Sequence, residues 1–275
     1  MPELPEVETT IRGLNILINK KVIKIKTNTK KLRYNIPSNL SNKFKDQKII
    51  STARIAKYIL INFTNNLTLI IHLGMSGRLK VVKSDVDIVK HDHVILYFHN
   101  KYKLIFNDPR KFGFIDFSKS LKIYEKRYLS ALGLDALSNK LTSSYIYEKI
   151  KKSEVPVKQL LLNQYIVSGI GNIYASEILY DAKISPLIKG KYLKLYQIRK
   201  IIQSIRKILK KAINYGGSSI RDYKSSDGSL GNFQSNFKVY GKEGQKVSNF
   251  EILKIVQYGR ATYYCPDLQK EQNSN

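Results

Sequence analysis

Residues 58–73 read YILINFTNNLTLIIHL, two short runs of aliphatic and aromatic residues separated by Thr-Asn-Asn. Each run has the length of a strand and is broken from the next by asparagines, so each reads as a short strand. The same signature recurs on either side: VIKIKTNT from Val22, HVILYFH from His93 and KLIFND from Lys103 are short, β-rich and partly alternating, and are broken by Asn, Gly and Pro. Residues 21 to about 120 are therefore expected to form an antiparallel sandwich or barrel.

The flanks have a helical period. From Pro5 to Ile18, apolar Val7, Ile11, Leu14 and Ile18 recur at helical spacing, with Pro5 suited to a first turn and Glu6 and Glu8 complementing the dipole. LGLDALSNKLTS, residues 132–143, is loop-like. Beyond it Ala175, Ile178, Leu179 and Ala182 form one apolar stripe. Leu195, Ile198, Ile202, Ile205, Leu209 and Ala212 form a longer one, closed by Gly216 and Gly217, with Lys and Arg on its other face. SSDGSLGNFQSN, residues 225–236, is a flexible loop by composition. The end of the chain reads as a β-hairpin from FKVYG to ATYYC with a polar tail. The expected fold class is α+β in two domains.

A chain of 275 residues that is 43% hydrophobic buries one large core or two modest ones. Forty-eight Lys and Arg against 21 Asp and Glu give a net charge of +27, which draws polyanions and makes nucleic acid the leading partner. Part of that charge is also what an AT-rich genome, generous with Lys, Asn, Ile and Tyr, would produce. The lysines run from Lys20 to Lys270 rather than beside one amphipathic helix, which argues against a membrane-surface protein. Cys265 is the lone cysteine, so no internal disulfide forms. No leader or transmembrane run is evident, and a cytoplasmic protein is expected.

The chain begins MPELPEVETTIRGL. Aminopeptidases remove Met before a small second residue, which leaves the nitrogen of Pro2 as a free secondary amine. An α-amine titrates at about 8, far below lysine, and a position just ahead of a helix N-terminus favours its neutral, nucleophilic form. Attack on an aldehyde-like carbon gives an iminium that acidifies the neighbouring C–H, chemistry suited to elimination. Glu3 and Glu6 stand close enough in sequence to supply protons, although acidic residues at a helix start are also ordinary dipole partners.

PELPEVET resembles the amino terminus of bacterial formamidopyrimidine-DNA glycosylase. The likeness continues in order through AKYILI, HLGMSGRL, KHDHV, NDPRKFG, GIGNIYASEILY, GG, SDG, VYGKEG and GRATYYC, from residue 2 to about 268. The sister family of endonuclease VIII type opens with PEGPE, so Leu4-Pro5 favours the oxidised-purine branch. The resemblance implies an N-terminal helix with a β-sandwich domain (1–130), a linker (131–150), a helix-two-turn-helix domain (151–234), a β-hairpin finger (235–268) and a disordered tail (269–275).

It also implies roles. Pro2 is the nucleophile that displaces the base and forms a Schiff base, Glu3 protonates the sugar oxygen, Glu6 assists positioning, and Lys57 does acid or base work beside a phosphate. A base inside a duplex must be extruded before chemistry and the gap supported. Met75, Arg110 and Phe112 are the implied void-filling residues, Arg110 pairing with the orphaned base. By residue type alone, Met75 and Phe112 read as core and Arg110 as a turn residue. Asn172 begins a helix and contacts the DNA backbone beside the lesion. Lys158, Lys152 and His91 add backbone contacts. His91 and His93 on one face of a strand suggest a metal pair by spacing, but with four His and one Cys a third or fourth ligand would have to come from carboxylates, which argues against a metal. Arg260 sits at the fingertip, tied to the lesion phosphate and to δ-elimination.

The departures are as informative. The family's finger holds zinc with two Cys-x-x-Cys pairs, whereas here Val247, Phe250 and Leu268 occupy three of those positions and Cys265 the fourth. No tetrahedral thiolate site forms from these. An apolar cluster, with Ile252 and Ile255, is expected to clasp the hairpin instead, and no cofactor is implied. Asn163 stands where relatives carry Asp. The implied partner is duplex DNA containing oxidised bases, bound by a monomer. Two other readings stay open: a sister-type glycosylase for oxidised pyrimidines, whose lesion pocket rests on SSDGSLGNF, and a non-catalytic binder of damaged DNA.

Overall fold

The computed structural model describes residues 2–99, 101–218 and 231–270. The chain divides into two compact units, residues 1–130 with 215–234 and residues 131–214 with 235–275.

The first unit opens with α1, Leu4–Gly13. It stops short of Ile18 because Gly13, Leu14 and Asn15 lead into a single 3-10 turn, Asn15–Leu17, where two weak helix formers meet. Next come β1 (Val22–Thr27), α2 (Leu40–Phe44), β2 (Ile49–Ile55), β3 (Tyr58–Phe63), β4 (Leu67–His72), β5 (Arg78–Lys83), β6 (Asp92–Phe98), β7 (Tyr102–Asn107) and β8 (Phe114–Lys119). These strands make two four-stranded sheets, in the orders β1-β6-β7-β5 and β2-β3-β4-β8, with every pairing antiparallel. Both sheets contribute to one core, which includes Val22, Ile61, Phe63, Leu69, Val94 and Phe106. Strict alternation in β1 would put Val22 and Ile25 on opposite faces. A register shift between Val22 and Lys24 turns both inward and leaves Ile23 outside. Residues 215–218 and 231–234 close against each other in this unit: Asn232 donates to Tyr215 O and Phe233 to Gly217 O. The expected boundary at 234 therefore gives way to a crossing of the chain at 214. Most of the segment read as a lesion loop, residues 219–230, lies outside the described residues.

The second unit follows α3 (Arg127–Ser130) with β9 (Leu134–Asp135), α4 (Ser143–Ile150), α5 (Val157–Leu162), β10 (Val167–Ser168), α6 (Asn172–Ala182) and α7 (Leu195–Asn214). Residues 131–150 are no linker. Thr142 caps α4, Ile146 and Ile150 are buried, and β9 pairs in parallel with β10. Asn163 ends α5, and its Oδ1 accepts from Tyr165 N at 3.0 Å, a turn bond that the oxygen of an Asp would make equally. The α7 stripe is buried at Ile198, Ile202, Ile205, Leu209 and Ala212, while Leu195 in the first turn is exposed.

The finger consists of two small hairpins, β11 (Lys246–Val247) with β12 (Phe250–Glu251) and β13 (Leu253–Gln257) with β14 (Arg260–Tyr264). FKVYG is not a strand: its amides go to a side chain instead, Lys238, Val239 and Tyr240 all donating to the Glu177 carboxylate. Val247 and Leu268 pack with Tyr180, Val239, Ile252 and Cys265 as expected of a clasp. Phe250 is instead 41% exposed and Ile255 lies outside that cluster, because both belong to the outer hairpin surfaces. Nor does a loose tail begin at 269. Gln269 is buried, accepts from Cys265 N and donates to Ile184 O, each at 2.9 Å, while 271–275 lie outside the described residues. Among the described residues no helix is long and apolar enough to cross a membrane.

Candidate functional site

In the first unit the start of α1 is buried and tied down by hydrogen bonds. Pro2, Glu3 and Glu6 are all buried. Glu3 is the N-cap and Glu6 the third helical residue, in the reciprocal arrangement of a capping box, with Glu3 N donating to Glu6 Oε2 at 2.9 Å. The other oxygen, Oε1, accepts from Ser218 N at 2.8 Å and from Ser218 Oγ at 3.0 Å. Gly217, at φ +75°, is required there, since a Cβ would meet Glu6 Oε1 at 3.0 Å.

Lys57 is 6% exposed in the turn joining β2 to β3. Arg54 ties that turn to α1: its Nε donates to Glu8 Oε2 at 2.9 Å and its Nη1 to Ala56 O at 3.0 Å. The lysine and the start of the chain are thus set by elements braced against each other, a link that neither Glu8 nor Arg54 signals by spacing. His72, at the end of β4, accepts from Gly74 N. Burial, followed by the charges of Lys57 and Arg33, pulls its pKa down to about 4.

A second group surrounds Asp108, which is fully buried. Its Oδ1 accepts from Ser76 Oγ at 2.6 Å and its Oδ2 from Gly113 N at 2.8 Å, joining the loop after β4 to the loop before β8. Gly74 lets the loops meet: a Cβ there would fall 2.4 Å from Gly113 N. At the rim Met75 and Phe112 are 43% and 44% exposed, and the Arg110 guanidinium lies 4.8 Å from the Phe112 ring centroid. Neither side chain is core, contrary to what type alone suggests. His91 precedes β6 at φ +72°, so it does not share a strand face with His93. The latter is buried, with Nε2 bonded to Asp108 O, and burial lowers its pKa. Among the described residues no group of three His, Cys, Asp or Glu is arranged to hold a metal.

In the second unit Asn172 opens α6 behind Gly171. Its Nδ2 donates to Ala261 O at 2.9 Å and its Oδ1 accepts from Lys158 Nζ at 2.7 Å. Lys158 is fully buried and also donates to Ala261 O at 2.9 Å and Thr262 Oγ1 at 2.7 Å. These bonds brace α5, α6 and the finger. Lys152 is exposed in the turn after α4, and Arg260 is exposed at the first position of β14. Glu177, whose pKa burial raises against the pull of its backbone donors, holds the chain entering the finger.

Residues 1–115 match the formamidopyrimidine-DNA glycosylase N-terminal domain and residues 132–224 its H2TH domain. The formamidopyrimidine-DNA glycosylase of Zymomonas mobilis is 42% identical over 98% of this chain and 100% of its own length. That of Rickettsia bellii is 40% identical with the same coverage. The chain belongs to the formamidopyrimidine-DNA glycosylase family. Lactococcus lactis Fpg, in complex with a Fapy-dG containing DNA, superposes with a TM-score of 0.91 at 34% identity, covering 98% of this chain and 100% of that one. In complex with abasic-site DNA the TM-score is 0.90. As a member of this family the chain is a DNA repair enzyme, and its finger carries a single cysteine.

That finger does not fit the family's zinc. Cys265 is fully buried beside Tyr180, Val239 and Ile252, and Val247 and Leu268 bring no donor atom.

Proposed function

We propose that this glycosylase excises oxidised purines, 8-oxoguanine and formamidopyrimidines, from duplex DNA and then cuts the strand by β,δ-elimination. The observation that carries the reading is the buried Pro2-Glu3 pair at the mouth of α1, fixed by Glu6. Once Met1 is removed, the Pro2 nitrogen attacks C1′ of the damaged nucleotide as the C1′–N9 bond breaks; the base leaves with its electron pair and takes up the proton that the Pro2 nitrogen gives up. Glu3 protonates the sugar ring oxygen, and the ring opens to an iminium joining Pro2 to C1′. Loss of a C2′ proton expels the 3′ phosphate, and a second elimination expels the 5′ phosphate. Lys57 serves proton transfer beside the phosphate.

Met75, Arg110 and Phe112 suit the void left by the extruded nucleotide: a flexible apolar group, a guanidinium and a ring, exposed together on a braced rim. Asn172, His91, Lys152 and Arg260 supply the backbone contacts, with Arg260 serving the second elimination. The Lactococcus complexes with Fapy-dG and abasic-site DNA support this substrate class. The finger is read as metal-free, clasped by its apolar cluster, and the enzyme as a monomer acting in the bacterial cytoplasm.

The test compares strand cleavage of duplexes carrying 8-oxoguanine opposite cytosine with those carrying an oxidised pyrimidine. Preference for the first supports the reading, preference for the second assigns the chain to the sister activity, and binding without cleavage of either leaves a non-catalytic protein.

A further inference from the structure

The β13–β14 hairpin turns through Tyr258 and Gly259, between the paired residues Gln257 and Arg260, and both turn residues have positive φ, 49° and 72°. Two successive left-handed residues match the twist of a two-residue hairpin, and their first position normally takes Asn, Asp or Gly. A bulky side chain is an outlier there, since its Cβ crowds the following carbonyl. In the neighbouring hairpin, between β11 and β12, the residues at φ 50° and 68° are Ser248 and Asn249, both small and polar.

Burial does not repay the strain at Tyr258, which is 70% exposed, as is Val256 at 71% on the preceding strand. The tip stands clear of the chain around it, for a Cβ added at Gly259 meets no described atom within 4 Å. The base of the hairpin is held firmly, Ala261 and Thr262 by Lys158, and Gln257 by Gln159 and Pro186. A ring is therefore displayed on a rigid mount, two residues from the exposed Arg260. Retained strain of this kind marks positions that function uses, and an aromatic face beside a cation matches the surfaces on which nucleic-acid strands lie.

We propose that Tyr258 is a DNA-contacting residue of the fingertip, its ring packing on a base or deoxyribose next to the phosphate gripped by Arg260. The inference rests on the glycosylase reading and adds to it an apolar contact from the finger, separate from the void-filling rim. The ring carries no charge, so its contribution is independent of salt, whereas loss of a phosphate contact alters the salt slope.

The test compares the wild-type chain with Tyr258→Asn and Tyr258→Phe. The readouts are the thermal midpoint, the Kd for a duplex with a tetrahydrofuran abasic analogue at low and high salt, and single-turnover cleavage of the 8-oxoguanine duplex. Asn relieves the strained turn, so Tyr258→Asn is expected to keep or raise the midpoint while weakening binding roughly fivefold or more, equally at both salts. Tyr258→Phe should bind within about twofold of wild type, as a stacking ring without its hydroxyl would. Equal affinity of Tyr258→Asn and wild type, or equal losses in Asn and Phe, overturns the proposal. A wild-type chain that binds but does not cut breaks the glycosylase reading while the affinities still decide Tyr258, and one that does neither overturns both.

Discussion

Glu6 grips the backbone amide of Ser218, 212 residues further along the chain, at 2.8 Å. With Ser218 Oγ and the Glu3 amide, the same carboxylate accepts three hydrogen bonds. It therefore fixes the first turn of α1 to the Gly216-Gly217-Ser218 bend. An amide group in its place turns an NH2 toward one of these donors, and the cost of a broken buried hydrogen bond is about 1–3 kcal/mol. Glu6→Gln is expected to lower the single-turnover cleavage rate at least about tenfold, the equivalent of one such bond, with little change in duplex Kd. Gly217→Ala, which presses a Cβ on Glu6, should act in the same direction. Cleavage and binding measured side by side check both, and unchanged cleavage in Glu6→Gln would contradict the positioning role.

Lys158 gives a different pattern. Its ammonium is saturated by Asn172, Ala261 and Thr262 inside the protein, so Lys158→Met should destabilise the chain by about 1–3 kcal/mol and impair cleavage. The slope of log Kd against log salt should stay at the wild-type value. Arg260→Ala and Lys152→Ala, by contrast, should each reduce it by up to about one. A reduced slope in Lys158→Met would return that residue to the phosphate-binding surface.

His72 makes stability depend on pH. Its folded pKa is about 4 against an ordinary 6.5, because burial and the nearby Lys57 and Arg33 disfavour the charged ring. The unfolded chain takes up a proton below 6.5 that the folded chain refuses until about 4. The neutral ring's full contribution is present above 6.5, is lost as pH falls toward 4, and amounts to at most about 3 kcal/mol. Urea unfolding at pH 7 and 4.5 is expected to show a steeper loss for wild type than for His72→Gln, in which the Gly74 amide keeps an acceptor.

The finger should be indifferent to metal. Its clasp is Val247, Ile252, Leu268 and Cys265 against Tyr180 and Val239. Elemental analysis of purified protein is expected to find no stoichiometric zinc, and a strong chelator should leave both the thermal midpoint and cleavage unchanged. Ile252→Ala, which opens a cavity in that cluster, should cost about 2–5 kcal/mol and weaken DNA binding. Zinc at one equivalent would refute the apolar clasp.

The sheets and the long helices were legible because their signal is local: alternation and turn residues for β2 to β4, a stripe every three or four residues for α7. What escaped was set by partners distant in sequence. Lys158 has the composition of a surface lysine, and only its bonds to residues more than 100 positions away, such as Thr262, show why it is buried. FKVYG alternates like a strand, but Glu177 takes the amides that a neighbouring strand would have used. Residues 131–150 look loop-like because Thr142 starts α4 only after a polar run. Within the candidate site, Pro2, Glu3 and Arg260 were proposed through family motifs. Arg54 was not, since its work is to join Glu8 to the turn that carries Lys57.

The claim on which the catalytic reading depends is that Pro2 is the nucleophile. Borohydride trapping on a duplex with 8-oxoguanine opposite cytosine, followed by mass mapping of the linked peptide, tests it directly. The account predicts a covalent adduct on the Pro2 nitrogen of the Met-processed chain. An adduct mapped to a lysine, or none from processed protein that still binds the duplex, would contradict it.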